Sequence, residues 1–341
     1  MDNVPTVFIE KVCLLAFDSE FTAFLGEAEQ ISSHFGEVIA ATGEKIHQLL
    51  VKVYLSDEKI LVTGKSVAEP ARHEPIFRTP LDELSLRFVT HFHVELLGSE
   101  KSDRDFGEDY YYDGHFYRHE PREAWTEVSS DRLLRLLRAI RPTGREGPHP
   151  ARYDRHFRNH LKGVYIDAEN YTCRKLLSLQ LPFDSIHFEY TTECRREIEN
   201  FLESSGPLYN IDIDYNTMEI LTTRSIDFAV EKFVPLDGSC ADLSGPLNRK
   251  QMEKLVLKCE MSDQKASICA GFDEYKDGMD ITKLFDFDLL YSTWTITTPI
   301  EQFWTFHAQR EDAQNRLHLE DLNGNGFTLY WRWNTSCFCK Q

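Results

Sequence analysis

Three short apolar runs, Val164-Tyr165-Ile166, Ile186-His187-Phe188 and Ile211-Asp212-Ile213, recur 22 and 25 residues apart. Each is too short for a helix and rich in β-branched and aromatic residues, as strands are. Helically spaced apolar residues separate them. One such stretch ends at Leu179; another carries Cys194, Ile198, Phe201 and Leu202 and is stopped by Gly206-Pro207. Parallel strands need a long return connection, usually a helix. The three runs are therefore expected to lie parallel and adjacent, with crossover helices such as Cys194 to Leu202 covering one side. The spacing falls in the roughly 20–29-residue range of leucine-rich units, although the usual Asn is missing. Asp242-Leu243, Leu255-Val256-Leu257 and Leu284 to Leu289 are candidates for later units.

The text upstream is different. Pro5 suits the first turn of a helix, and Phe8, Ile9, Val12 and Leu15 follow on one face. Phe21, Phe24 and Leu25, then Ile31, Phe35, Val38 and Ile39, mark two more short amphipathic helices. Strand-like text begins at Leu49 to Leu55. Leu84, Leu86 and Phe88 alternate, and Phe92, Val94 and Leu96 continue the alternation of a half-buried strand. A helix capped by Ser129 or Ser130 is expected to bury Leu133, Leu134, Leu136, Leu137 and Ile140 and to end at Pro142. Arg132, Arg135, Arg138 and Arg141 recur along it at every third residue. Such a stripe can hold an acidic partner segment, but in an acidic chain pairing with the protein's own carboxylates is the expectation. The last fifty residues read as strands, with Asn323-Gly324-Asn325-Gly326 as a turn and Phe327 to Trp333 as the return strand of a hairpin.

Composition narrows the functional classes. Lys and Arg number 38 against 56 Asp and Glu, a formal charge of −18. Phosphate backbones and anionic membrane surfaces repel such a chain, so neither nucleic acid nor membrane is expected as a partner. No run approaches the roughly 18 apolar residues of a spanning helix. The N-terminal residues lack the basic and apolar regions of a signal peptide, so a cytoplasmic or nuclear location is expected. Six of the eight cysteines are isolated, and only Cys337 and Cys339 lie close together. Without a CxxC pair, buried reduced thiols are expected.

Candidate chemistry is sparse. His91, His93 and Glu95 form an HxHxE set on one face of a strand, a possible metal pair plus carboxylate. The expectation is that no metal is held there, the set being the solvent side of a strand that buries Phe92 and Val94. Further ligands would have to come from segments such as those of His73 and His115. His115, His119 and Glu120, with Asp109 and Asp113, read as a solvated polar loop. His149, His156 and His160 flank a Pro/Gly stretch, but HRHFRNH lacks the Glu that HExxH supplies as base. Asp212 and Asp214 mark the outer face of a strand whose inner face is Ile211 and Ile213. No P-loop, GxGxxG, nucleophile elbow or kinase set occurs, so no enzyme, cofactor or small-molecule substrate is expected.

The opening Met1-Asp2-x-Val4-Pro5-x-x-Phe8-Ile9-x-x-Val12 resembles a divergent group of nematode F-box-like proteins. In F-box proteins a Leu/Val-Pro dipeptide opens a helix of this spacing, and two further helices dock on Skp1. Val4, Pro5, Phe8, Ile9, Val12 and Leu15 match the first helix; Ile31, Phe35 and Val38 fall on the third, Phe35 about where many members have Trp. The second, Ala16 to Gln30, departs in carrying Glu20, Glu27 and Glu29. The later strand–helix units and the ending Phe327 to Trp333 are similar to the group's F-box-associated, leucine-rich-like region. The resemblance implies a mixed α/β chain in three parts: an F-box-like helical module over 1–48, a β-containing middle over 49–141 ending in an amphipathic helix, and an irregular leucine-rich-like region over 157–341. It implies a non-catalytic adaptor of a Skp1–cullin–F-box ubiquitin ligase, with Skp1 and an unknown target as protein partners. The alternative is an interaction or antagonist protein that has lost Skp1 binding.

Overall fold

The computed structural model describes residues 4–15, 34–55, 59–67, 78–97, 110–112, 115–117, 124–140, 153–154, 158–163, 170–190, 194–215, 221–272, 286, 288, 291–297, 305–309, 316–321 and 327–332. The protein is a mixed α/β chain that divides into two compact units. The first comprises Met1–Arg145 and Asp154–Phe183, the second Glu146–Tyr153 and Asp184–Gln341.

The first unit opens with α1 (Thr6–Leu15) and α2 (His34–Gly43). Its strands are β1 (His47–Tyr54), β2 (Lys59–Ser66), β3 (Arg78–Thr79), β4 (Val89–Leu97), β5 (Tyr110–Tyr112), β6 (His115–Tyr117), β7 (Thr126–Glu127) and β8 (His160–Gly163). Helices α3 (Ser130–Ile140) and α4 (Tyr171–Ser178) also belong to it. The sheet runs β3-β2-β1-β4-β8, with β7 also on β2. β1 is antiparallel to β2 and parallel to β4, and β4 is parallel to β8; β5 and β6 form a separate hairpin.

Leu49, Val51 and Val53 sit beside Phe92, Val94 and Leu96 in register, and all six are buried. That is the core face that alternation in β4 announces. α3 buries Leu133, Leu134, Leu136 and Leu137, and the Ser129 hydroxyl accepts from the Arg132 N–H, a helix cap of the expected kind. Leu84 to Phe88 differs from expectation. It is loop followed by a 3-10 turn at Leu86–Phe88, and the strand begins only at Val89. Alternation over so few residues suits a turn that buries Phe88 alone as well as it suits a strand.

The second unit alternates strand and helix: β9 (Ser185–Tyr190), α5 (Arg195–Ser204), β10 (Asn210–Tyr215), α6 (Thr223–Lys232), β11 (Cys240–Leu247), α7 (Arg249–Ser262) and β12 (Ser267–Phe272). β13 (Thr293–Thr297), β14 (Thr305–Gln309), β15 (Arg316–Asp321) and β16 (Phe327–Arg332) follow. β9, β10, β11 and β12 are neighbours and parallel. β16 then joins β12 antiparallel, and β15, β14 and β13 continue as an antiparallel meander. The β15–β16 pairing is the hairpin expected around the Asn-Gly turn.

Ile186 pairs with Ile211, and Phe188 with Ile213, as expected of parallel neighbours. Val164, Tyr165 and Ile166 lie outside the described residues. The rows Ile186, Ile211, Ala241, Ile268 and Phe188, Ile213, Leu243, Ala270 are buried. Phe201 of α5 packs edge-on against Phe188, centroids 5.5 Å apart, so the crossover helix covers this face. Helices α6 and α7 are additional to those the sequence pattern predicts. Leu255-Val256-Leu257, a candidate strand-bearing unit, lies within α7, where Leu255 and Val256 are buried and Leu257 is exposed. Gly238 has φ +85°, and a Cβ there would lie 2.9 Å from the Tyr153 carbonyl oxygen, so glycine is required at this turn before β11.

Candidate interaction surface

Helix α1 has two unlike sides. Val4 precedes it, and Pro5 opens it by accepting from the N–H groups of Phe8 and Ile9. Ile9 and Cys13, four residues apart, are buried in a cluster with Val38 and Ile39 of α2; Val4 and Phe35 pack against it partly exposed. Burial raises the Cys13 thiol pKa, a backbone hydrogen bond opposing it, so this cysteine is a neutral core residue. Glu10 pairs with Arg87, which fixes α1 on the first unit. The other side of the helix carries Val7, Phe8 and Val12, exposed by 56, 58 and 41 %.

Of the six residues singled out in the sequence, Ile9 thus faces inward, Val4 is half-buried, and Pro5, Phe8 and Val12 face outward. Leu15 ends α1, and its side chain lies outside the described residues, as do Ile31 and the segment 16–33. Val7 was missed because a lone Val beside a stronger i, i+4 pattern gives no signal of its own.

The HxHxE set lies on one face of β4, opposite Phe92, Val94 and Leu96, but that face is not simply solvated. His91 is buried and exchanges a hydrogen bond with the Thr90 hydroxyl at 2.8 Å. Register places His93 beside His160 of β8, with ring centroids 4.7 Å apart, and Glu95 beside Lys162, with a 3.2 Å ion pair. Burial, the largest influence, pushes the His93 imidazole down to about 4. Glu95 opposes that shift, while Arg158, Lys162 and Lys65 add to it. The sequence grouped His160 with His149 and His156, which lie outside the described residues, because a partner across a parallel pair is set by register. Among the described residues no three His, Cys, Asp or Glu side chains are grouped to hold a metal ion. The polar loop from Asp109 to Glu120 is described only as the backbone of β5 and β6.

Asp212 has a partner the sequence did not reveal. His187 of β9 donates from Nδ1 to its carboxylate at 2.6 Å, while Ile211 and Ile213 are buried on the opposite face. Six cysteines are among the described residues and none is in a disulfide; Cys13, Cys173, Cys194 and Cys259 are buried. No described helix is long and apolar enough to cross a membrane.

The Arg stripe departs from expectation. Arg132, Arg135 and Arg138 are exposed on α3, and among the described residues none meets a carboxylate. Arg135 instead donates from Nε to the Asp131 carbonyl of its own helix at 3.3 Å, and the Asp131 carboxylate is taken by Lys175 at 3.1 Å. Arg141 lies outside the described residues. Comparison with known proteins finds no matching family model, no curated protein of significant similarity and no matching solved structure.

Proposed function

We propose that the protein is a non-catalytic, protein-binding adaptor of the F-box-like kind, a substrate-recognition subunit that docks on Skp1 through α1. One observation carries this reading. A short helix at the start of the first unit spends Ile9 and Cys13 on its own core and leaves Val7, Phe8 and Val12 to solvent. Large apolar residues grouped on one exposed helix side mark a place where another protein docks. Phe8 and Val12, four residues apart, have the i, i+4 spacing of anchors in helix-in-groove recognition. The irregular strand–helix array of the second unit would then be the leucine-rich-like region that carries target recognition.

Co-purification with Skp1 tests this. The full chain is expected to capture Skp1, and Phe8→Ala with Val12→Ala to weaken capture about tenfold or more, since each truncation removes on the order of 1–2 kcal/mol of apolar burial at an interface. Both positions are exposed, so the variant should keep its fold. Absence of capture by the full chain would sink the Skp1 reading and leave the alternative, an interaction protein without Skp1 docking.

A further inference from the structure

We infer that the solvent face of α3 is a second docking surface, one that binds an acidic peptide segment of a partner protein through Arg132, Arg135 and Arg138. It requires only that the protein bind other proteins, and it does not depend on Skp1 docking through α1.

The chain has 56 carboxylate residues against 38 Lys and Arg, so an exposed arginine has many possible internal partners. Among the described residues Arg132, Arg135 and Arg138 have none. The one acidic residue of α3, Asp131, is held by Lys175 of α4.

Like charges three and four residues apart on a helix repel one another. A solvent face with no partner is better built from mixed charges, as in α7, where Arg249 pairs with Glu253 four residues on at 3.0 Å. α3 instead sets three arginines along one flank at steps of about 4.5 Å of helix axis. The buried side of the helix, Leu133, Leu134, Leu136 and Leu137, anchors it to the unit, so the stripe is held on a rigid element.

A guanidinium presents a planar fork that meets a carboxylate with two parallel hydrogen bonds, which a lysine cannot do. The exposed Tyr171 of α4 offers a ring beside this surface, under the Lys175 ammonium at 5.9 Å, while Lys175 itself is spent on Asp131. The charge of the whole chain then selects the ligand. A long polyanion such as RNA is repelled by the −18 background, whereas a peptide bringing a few Asp or Glu side chains engages the stripe locally.

Fluorescence anisotropy with a labelled Asp/Glu-rich peptide, and with its Asn/Gln counterpart as control, tests the inference. The full chain should bind the acidic peptide and not the control, and binding should weaken as salt is raised. The variant R132A/R135A/R138A should lose about tenfold in affinity. Alanine is the strongest helix former, so α3 should persist in this variant, as circular dichroism would check. The charge-keeping R132K/R135K/R138K should fall between the two. The Phe8→Ala, Val12→Ala variant should bind the peptide normally, which separates this surface from α1. Equal binding by wild type and the alanine variant would overturn the inference. So would no binding to the peptide at low salt, or arginine-dependent binding to a labelled RNA or to anionic vesicles in place of the peptide.

Discussion

His93 shows how one side chain can make the fold sensitive to acid. Its imidazole is held neutral down to about pH 4, first by burial, while an unfolded histidine takes up a proton near 6.5. A group whose folded pKa is lowered contributes stability above its unfolded pKa, and that contribution is lost as pH falls through the window down to the folded value. For His93 the window is about 6.5 to 4, and the whole effect is on the order of 3 kcal/mol. Urea unfolding at pH 7 and pH 5 is expected to show the loss, and His93→Gln to flatten it. A His93 ring resonance that titrated near its ordinary value by NMR would contradict this. The sequence offered His91, His93 and Glu95 as a strand face and that much was legible. It could not show that His160 and Lys162 complete the face, because those pairings arise from the register of β8 on β4.

At the scale of elements, the second unit is tied together by groups that finish one helix from the next. Glu199 of α5 accepts from the Thr222 hydroxyl at 2.6 Å and the Ser225 hydroxyl at 3.0 Å, where α6 begins. Burial would raise the Glu199 carboxyl pKa, but the two hydroxyls and Arg195 outweigh it and hold it below its ordinary value. Lys232 of α6 donates to the Ser205 carbonyl at the end of α5. Lys258 of α7 donates to the carbonyls of Val230, Glu231 and Phe233 at the end of α6. These ammonium groups satisfy helix-end carbonyls that nothing within the helix can reach.

α7 itself starts with a reciprocal cap. Asn248 accepts from the Gln251 N–H, and the Gln251 side chain accepts from the Asn248 N–H, each at 3.0 Å. Asn248→Ala is therefore expected to cost about 1 kcal/mol in urea unfolding, with the slope of the transition unchanged. An unaltered midpoint would mean that the cap adds nothing. The Asn-x-x-Gln pattern is visible in the sequence, yet it does not by itself announce α7. Its interior, Leu255-Val256-Leu257, is a short continuous apolar run that fits strand and helix equally.

For the molecule as a whole, net charge is the property to test. A formal charge of −18 places the folded chain under self-repulsion that salt screens, with a Debye length of about 8 Å at physiological ionic strength. Thermal unfolding is expected to move to higher temperature as sodium chloride is raised from a few millimolar to about 0.15 M. A midpoint that fell with salt would show that attractive ion pairs, such as Lys162–Glu95 and Lys59–Glu127, outweigh the repulsion.

The sequence alone determined what depends on neighbours along the chain. Alternation placed Phe92, Val94 and Leu96 on a buried strand face; helical spacing and Ser129 placed α3; the recurrence of Ile186 and Ile211 placed two parallel neighbours. Tertiary structure decided what depends on residues far apart in sequence. It set which side of α1 is exposed, since Ile9 and Cys13 are claimed by Val38 and Ile39 of α2. It brought His187 to Asp212 and His160 to His93 through strand register. Among the described residues it also left Arg132, Arg135 and Arg138 without the carboxylates that composition seemed to promise, because charge balance over a chain says nothing of which charges lie within a few ångströms of one another.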